Sequence, residues 1–313
     1  MIEIGNQKNG GTQMNNRVNL RIDFAFKQLF GTKGNENILI GFLNAVLQKT
    51  LPSPITSLTL EDLHVHKEYK ENKLSIMDVR ATLGKGDFVN IEIQIANKHD
   101  IQKRSLYYWS KLYASQMQEG MPYSKLQKAI TINVLDFILF PIHDGFQTTG
   151  TLWDVEKEVL VSKDIEIHHI ELPKLIAQWR NEQVNPWHDA LVRWLLLLAA
   201  HEDQNLTETL EAIAMEHDET LQQAIQKWDN MSHNQQFRRE YEAREKLLLD
   251  EKAAVAHARE VGIEEGLQTG MEKGKLAERE QLIRGMHKNG MDIEDIAKFT
   301  NMDLSDIRHI LGQ

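Results

Sequence analysis

Residues 74–95 (LSIMDVRATLGKGDFVNIEIQI) constrain the fold most, because two strongly apolar runs flank a short turn. Leu74 to Ala81 and Phe88 to Ile95 are rich in β-branched and large apolar residues, and Gly-Lys-Gly-Asp lies between them. Apolar runs that flank a glycine-containing turn are typical of antiparallel β-hairpins. The sequence therefore predicts two neighbouring strands here.

Acidic side chains interrupt both predicted strands. Asp78 lies in the first strand and Glu92 in the second, and a buried carboxylate is costly unless a cation or hydrogen bonds compensate it. Because side chains alternate between the faces of a strand, Glu92 and Gln94 share one face, and antiparallel pairing can bring Asp78 beside it. Two carboxylates at a strand edge favour a hard divalent cation such as Mg²⁺ or Mn²⁺. The alternative is structural, with both acids in buried ion pairs with Arg80 or Lys73.

A family resemblance rests on these segments and on two others. LSIMDVRA and VNIEIQIAN resemble the PD-(D/E)XK nuclease superfamily, in particular its Rpn branch of recombination-promoting nucleases, also described as transposase-like. The resemblance extends to DFAFKQLFG, from Asp23 to Gly31, and to RSLYYWSKLY, from Arg104 to Tyr113, and covers roughly the first half of the chain. The superfamily usually carries Lys where this sequence has Gln94, and Glu-x-Gln is similar to the Rpn branch.

The resemblance implies an α/β fold with a PD-(D/E)XK restriction-endonuclease-like core and a mixed sheet, followed by an all-helical C-terminal half. It implies an endonuclease that uses Mg or Mn to hydrolyse double-stranded DNA with low sequence selectivity, in recombination, mobile-element biology or defence. Asp78 and Glu92 would hold the cation with the main-chain carbonyl of Ile93, and Gln94 would position the attacking water. The first helix would place Asp23 near the metal as a further ligand.

Cations and aromatic residues follow the second carboxylate strand. The apolar spacing predicts a helix over His99 to Gln118, in which tyrosines alternate with lysine and arginine, and such faces bind nucleic-acid backbones. Arg104, Tyr108 and Lys111 on this helix, with Lys27 on the first helix, are the candidate phosphate contacts. The structural alternative is a solvated helix face with ordinary packing of the tyrosines.

Histidine pairs offer a weaker metal signal. His64 and His66 lie two residues apart, but no third imidazole lies at a useful spacing, so the polar face of a strand is the favoured interpretation. His168 and His169 are expected at a sheet edge rather than on a metal.

Composition excludes several classes of site and partner. The 313 residues contain no cysteine, which excludes disulfides, thiolate metal sites and cysteine nucleophiles and fits a reducing compartment. The net charge of −10 argues against a basic protein that coats nucleic acid. The longest apolar run, Trp194 to Ala200, is too short to span a bilayer. We therefore expect a cytoplasmic protein with no membrane partner.

Five segments follow from the patterns along the chain. The predicted segments are 1–16, a flexible leader; 17–172, the nuclease core; 173–250, a helical subdomain; 251–280, a glycine-rich helix; and 281–313, a small helix-turn-helix-like tail. The tail is slightly acidic, so we expect a packing or protein-contact module first and a DNA reader second.

Small residues recur at every fourth position in the glycine-rich segment: Ala254, Ala258, Gly262, Gly266, Gly270 and Gly274. A glycine costs about 1 kcal/mol relative to alanine inside a helix, so the repeat requires a reason. Close approach of another helix is one reason, and it favours a homo-oligomer formed through residues 254–274. A flexible tether is the alternative.

Two other functional classes stay open. The first is a catalytically inactive nuclease-fold protein that binds nucleic acid or another protein, which the missing motif lysine favours. The second is an oligomeric scaffold in which the glycine-rich segment carries the main function.

Overall fold

The computed structural model describes residues 17–61, 79–97 and 99–312. These residues form a six-stranded mixed sheet and ten α-helices, and most of the C-terminal half is helical. The chain divides into two compact units, one ending at Lys246 and one beginning at Leu247. The predicted flexible leader, and His64, His66 and Asp78, lie outside the described residues.

The six strands form one continuous sheet. They are β1 (Leu58–Leu60), β2 (Val79–Leu83), β3 (Phe88–Gln94), β4 (Ala129–Leu135), β5 (Gln147–Asp154) and β6 (Val159–Glu171). Their spatial order is β1-β2-β3-β4-β6-β5, with β4 parallel to both β3 and β6 and the other pairs antiparallel. This arrangement confirms the predicted mixed sheet.

The helices surround this sheet and continue beyond it. They are α1 (Asp23–Phe30), α2 (Glu36–Val46), α3 (Ile101–Ala114), α4 (Leu172–Arg180), α5 (Ala190–Leu197), α6 (Gln204–His217), α7 (Glu219–His233), α8 (Gln235–Lys288), α9 (Ile293–Thr300) and α10 (Leu304–Leu311). None of the helices described here combines the length and the hydropathy that a bilayer crossing requires.

The predicted hairpin is present in the described residues. Strands β2 and β3 pair antiparallel from Val79 with Ile91 to Thr82 with Phe88. At the turn, the Leu83 N–H donates to the Asp87 carbonyl, and Gly86 adopts a φ of +99°, which glycine accepts without steric cost. The turn residues therefore fix the register in which β2 and β3 pair.

The central strand β4 is buried along its whole length, as the almost continuous apolar sequence predicts. One face of the sheet packs on α1 and α2, and the other lies under α3, which joins β3 to β4. Parallel strands need such a crossover, and the crossover helix covers the face that carries the polar residues of β3.

A helical layer follows the sheet within the first unit. Leu191 to Ala200 is almost entirely buried, and Trp194 contacts the rings of Phe30 and Phe42 with centroid separations of 6.4 Å. The Asp189 carboxylate caps α5 by accepting the N–H groups of Leu191 and Val192. Aromatic packing therefore joins α1 and α2 to α5 of the helical layer.

The second unit contains a small three-helix core. Ile283, Ile296 and Ile307 are fully buried together, one each from α8, α9 and α10. The sequence predicts a separate helix over Gln281 to Lys288, but the structure has these residues as the last two turns of α8, and no proline precedes them within this helix.

Candidate active site

Three polar side chains of β3 share the face that α3 covers. Asn90, Glu92 and Gln94 alternate with Val89, Ile91 and Ile93, as the period of two requires. Glu92 is only 3% exposed, and in the sheet it stands beside Asn133 of β4. The strand pattern thus places a carboxylate in the sheet interior, where it requires compensation.

The carboxylate of Glu92 has polar contacts from both its own strand and α3. The Gln94 amide nitrogen donates to Glu92 Oε2 at 3.1 Å, and Arg104 Nη2 lies 3.7 Å from the same oxygen. The structure therefore brings together three predicted site residues, and one positive partner of Glu92 comes from α3. Arg80 donates to the Asn90 side chain at 3.2 Å.

Tyr108 holds the Arg104 guanidinium from the other side. Arg104 Nη2 donates to the Tyr108 hydroxyl at 3.2 Å, and the guanidinium carbon lies 5.3 Å from the ring centroid, in cation–π range. Burial alone lowers the pKa of Arg104, but attraction to Glu92 and Tyr108 outweighs it, so the pKa of Arg104 is raised. A permanently charged guanidinium therefore faces the Glu92 carboxylate.

Ser105 and Asn133 lie close to Glu92, and the sequence did not indicate them as site residues. Ser105 lies on α3, and its Oγ is 3.1 Å from Asn133 Oδ1 and 3.4 Å from His169 Nε2. Burial, reinforced by His168, lowers the pKa of His169 to about 4, so this imidazole is neutral at neutral pH. The one available signal was Asn133, a lone amide in an otherwise apolar buried strand.

The expected edge position of the second histidine pair is wrong. His168 and His169 lie on β6, which pairs with β4 on one side and β5 on the other, so the strand is internal. The two imidazoles point to opposite faces of the sheet because they are consecutive. Both are buried.

His168 belongs to a separate polar cluster on the α2 face of the sheet. Its Nε2 lies 2.6 Å from Glu166 Oε1, and Lys128 Nζ lies 2.5 Å from Glu166 Oε2. Burial raises the pKa of Glu166, but the hydrogen bonds from His168 and Lys128 outweigh it and lower this pKa to about 2. Glu166 is therefore ionised and compensated within the fold.

Asp23 and Lys27 lie on α1. The Asp23 carboxylate binds Arg244 of α8 in a bidentate pair, with nitrogen–oxygen distances of 3.1 and 2.6 Å. This partner was not predicted, because Arg244 is 221 residues away in the sequence. Lys27 is half-buried, one turn further along the helix.

The remaining predicted residues lie on β3 and α3. Ile93 pairs with Val134 in the parallel ladder between β3 and β4. Lys111 is exposed on α3, and its ammonium lies 5.7 Å from the ring of Tyr107. The outer face of α3 therefore carries a cation and an exposed aromatic ring, as the sequence predicts.

Oxygen ligands at this site fit a hard cation only in part. The described residues contain no group of three or more histidine, aspartate or glutamate side chains that could hold a metal. Glu92 supplies a carboxylate and Gln94 a carboxamide, which are ligand types that Mg²⁺ and Mn²⁺ accept. Asp78, the second predicted carboxylate, lies outside the described residues.

Comparison with protein families gives a match over most of the chain. A family model described as PD-(D/E)XK nuclease family transposase matches residues 20–258, which span the sheet, the helical layer and the beginning of α8. No curated protein and no solved structure matches the chain.

Proposed function

The chain belongs to the PD-(D/E)XK nuclease family of transposases, and from that premise we propose that it is a metal-dependent DNA endonuclease. Its substrate is double-stranded DNA, cut with low sequence selectivity in recombination, mobile-element biology or defence. The single observation that best supports this proposal is the buried Glu92 carboxylate, which shares a strand face with Gln94.

Asp78 is the proposed second carboxylate. Val79 pairs with Ile91, and these residues are bonded to Asp78 and Glu92 respectively. Continuation of the described register by one residue would therefore set the two acids opposite each other, at the short separation of antiparallel partners. The register of the hairpin therefore supports a shared ion.

The proposed chemistry divides between the ion and the side chains. When bound, Mg²⁺ or Mn²⁺ supplies a water of lowered pKa and a Lewis acid for the scissile phosphate. Asp78, Glu92 and the carbonyl of Ile93 would hold the ion, and the Gln94 carboxamide would orient the attacking water by hydrogen bonding. Because a neutral carboxamide cannot take a proton at neutral pH, Gln94 serves to orient and not as a base.

The phosphate contacts come from α1 and α3. Arg104 offers a planar guanidinium for the charge that develops on the phosphate, and the Tyr108 hydroxyl holds it in place. Lys111 and Lys27 add charge along the DNA backbone. Asp23 serves as a further metal ligand only if its pair with Arg244 opens, which makes it the weakest member of the proposed set.

Residues 254–274 are the proposed homo-oligomer contact. They lie within α8, every one of them is exposed, and no atom lies within 4 Å of the position that a Cβ would take at Gly262, Gly266, Gly270 or Gly274. A second helix can therefore approach the backbone closely along this row. Sedimentation of the full chain over a range of concentrations tests the assembly, and a monomer at every concentration would exclude it.

Cleavage assays on duplex DNA with Mg²⁺ or Mn²⁺ test the nuclease proposal. We expect Asp78→Asn and Glu92→Gln to lower the cleavage rate at least about 100-fold, because each loses a charged metal ligand worth several kcal/mol. Glu156→Gln is the matched control, since this exposed carboxylate lies in the turn between β5 and β6. Equal rates in the wild type and the two site variants would exclude the proposal.

An inactive nucleic-acid-binding module is the second candidate function. It is favoured by Gln94 at the motif position and by the Arg104 guanidinium, which already compensates Glu92. DNA binding without cleavage under any divalent cation would establish this alternative. Cleavage that depends on Glu92 would remove it.

A further inference from the structure

The Arg104 guanidinium lies where it competes with the proposed metal ion. Its Nη2 atom is 3.7 Å from Glu92 Oε2, and a divalent cation held by the same carboxylate would lie within about 2.5 Å of its oxygens. Two positive charges beside one nearly buried carboxylate repel each other more strongly than they would in bulk water. The guanidinium in its present position therefore weakens the binding of an ion to the same carboxylate.

Arg104 and Glu92 differ in their freedom to move. The Glu92 side chain is 3% exposed and fixed in the sheet, whereas the Arg104 side chain is 27% exposed and reaches the site from α3. The buried Tyr108, one turn along the same helix, contacts the guanidinium through both its hydroxyl and its ring. The guanidinium can thus leave Glu92 while it keeps the aromatic contact.

The acid nearest to Arg104 on its own helix is Asp100, which precedes the helix by one residue, is exposed and attracts the guanidinium. Between Ile101 and Ala114 the chain has Lys103, Arg104 and Lys111 and no aspartate or glutamate. A guanidinium that leaves Glu92 can therefore contact Asp100, water or an added anion, and a DNA phosphate offers the planar oxygen pair that arginine prefers.

We propose that Arg104 is a resident counter-ion of Glu92 that a divalent cation displaces, and that the displaced guanidinium binds the phosphate of the DNA. This inference rests on the proposed function, because it takes Glu92 as a metal ligand. Metal binding and DNA binding are then coupled, since each ligand favours the same position of Arg104, and the coupling has to be reciprocal.

Titration of the full chain with Mn²⁺ by calorimetry tests the first half of this proposal. Without DNA, Arg104→Ala and Arg104→Gln bind Mn²⁺ about tenfold more tightly than the wild type, because the competing charge is gone. Arg104→Lys keeps a positive charge and stays close to the wild type. Lys103→Ala is the matched control, since it removes an exposed cation one residue away and leaves the affinity unchanged.

Titration in the presence of a phosphorothioate duplex that resists cleavage tests the second half. The duplex raises the Mn²⁺ affinity of the wild type but changes that of Arg104→Ala by much less, since the variant has no guanidinium to transfer. Circular dichroism of each variant verifies the fold. Because Arg104→Ala and Arg104→Gln differ in size, a change in affinity that both share cannot come from the local packing of one of them.

The outcomes separate this proposal from the proposed function. If Glu92→Gln binds Mn²⁺ as tightly as the wild type, Glu92 is not a ligand and the nuclease site itself is wrong. If Glu92→Gln loses the ion but both neutral Arg104 variants bind it no more tightly than the wild type, the nuclease site stands. In that case Arg104 is a fixed structural partner, and the displacement proposal is overturned.

Discussion

At the scale of single residues, compensation of buried charge organises this protein. Arg104 and Gln94 contact the Glu92 carboxylate, and His168 and Lys128 contact the Glu166 carboxylate, so each buried acid has polar partners that offset its charge. The alternation of β3 was enough to predict that Glu92 and Gln94 share a face. The partner of Glu92 could not be assigned from the sequence, because Arg104 approaches from a helix whose rotation depends on packing.

His169 gives a prediction about acid stability. Its pKa of about 4 in the folded protein lies below the value of about 6.5 for an exposed histidine, so the unfolded chain binds more protons between these values. The free energy of unfolding therefore falls as the pH drops from about 6.5 to about 4, by up to roughly 3 kcal/mol from this residue.

His169→Gln removes this titration and keeps a hydrogen-bonding side chain beside Ser105. Urea unfolding at a series of pH values should show that the free energy of unfolding falls less steeply with acidification in the variant than in the wild type. His201 also has a pKa of about 4, lowered chiefly by burial, so part of the loss remains in both proteins. Identical pH slopes would contradict the assignment of a buried neutral His169.

At the scale of elements, the patterns with short-range causes were predictable and the long-range ones were not. The hairpin and the buried β4 follow from apolar runs and the Gly-Lys-Gly-Asp turn, which act within a few residues. The pairing of Asp23 with Arg244 joins α1 to α8 across 221 residues, and no local pattern specifies it. The sequence predicts a helix over residues 251–280 and a separate helix over 281–288, whereas α8 continues without a break to Lys288.

Gly86 gives a prediction about the hairpin. Its φ of +99° is unfavourable for any residue with a Cβ, so Gly86→Ala should lower the free energy of unfolding by about 1–2 kcal/mol. Gly285→Ala is the matched control, because Gly285 lies inside α8 with no atom within 4 Å of a Cβ position. There, alanine should stabilise the helix by up to about 1 kcal/mol. Urea unfolding measures both changes in the free energy of unfolding, and changes of the same sign for the two substitutions would contradict this account.

At the scale of the whole molecule, the candidate site and the proposed assembly segment lie in different parts of the chain. The β3 and α3 residues belong to the unit that ends at Lys246, and residues 254–274 belong to the unit that begins at Leu247. The family match ends at residue 258, so it covers the sheet completely and the glycine row only at its beginning. We therefore expect chemistry and assembly to be separable.

Truncation before Ala253 tests this separation. The shortened chain should cut duplex DNA at a rate close to that of the full chain and should sediment as a monomer. Glu92→Gln in the same truncated chain is the control that identifies the cleavage as its own. Loss of all cleavage in a shortened chain that still unfolds cooperatively would mean that the C-terminal unit takes part in catalysis.

The central claim is that Glu92 and Asp78 coordinate one divalent cation, and one measurement tests it most directly. Crystals soaked in Mn²⁺ and measured near the manganese absorption edge should show an anomalous peak within about 2.5 Å of both carboxylates, with Arg104 turned away from Glu92. The account is contradicted if no peak lies near Glu92 and the guanidinium still occupies its place beside that carboxylate.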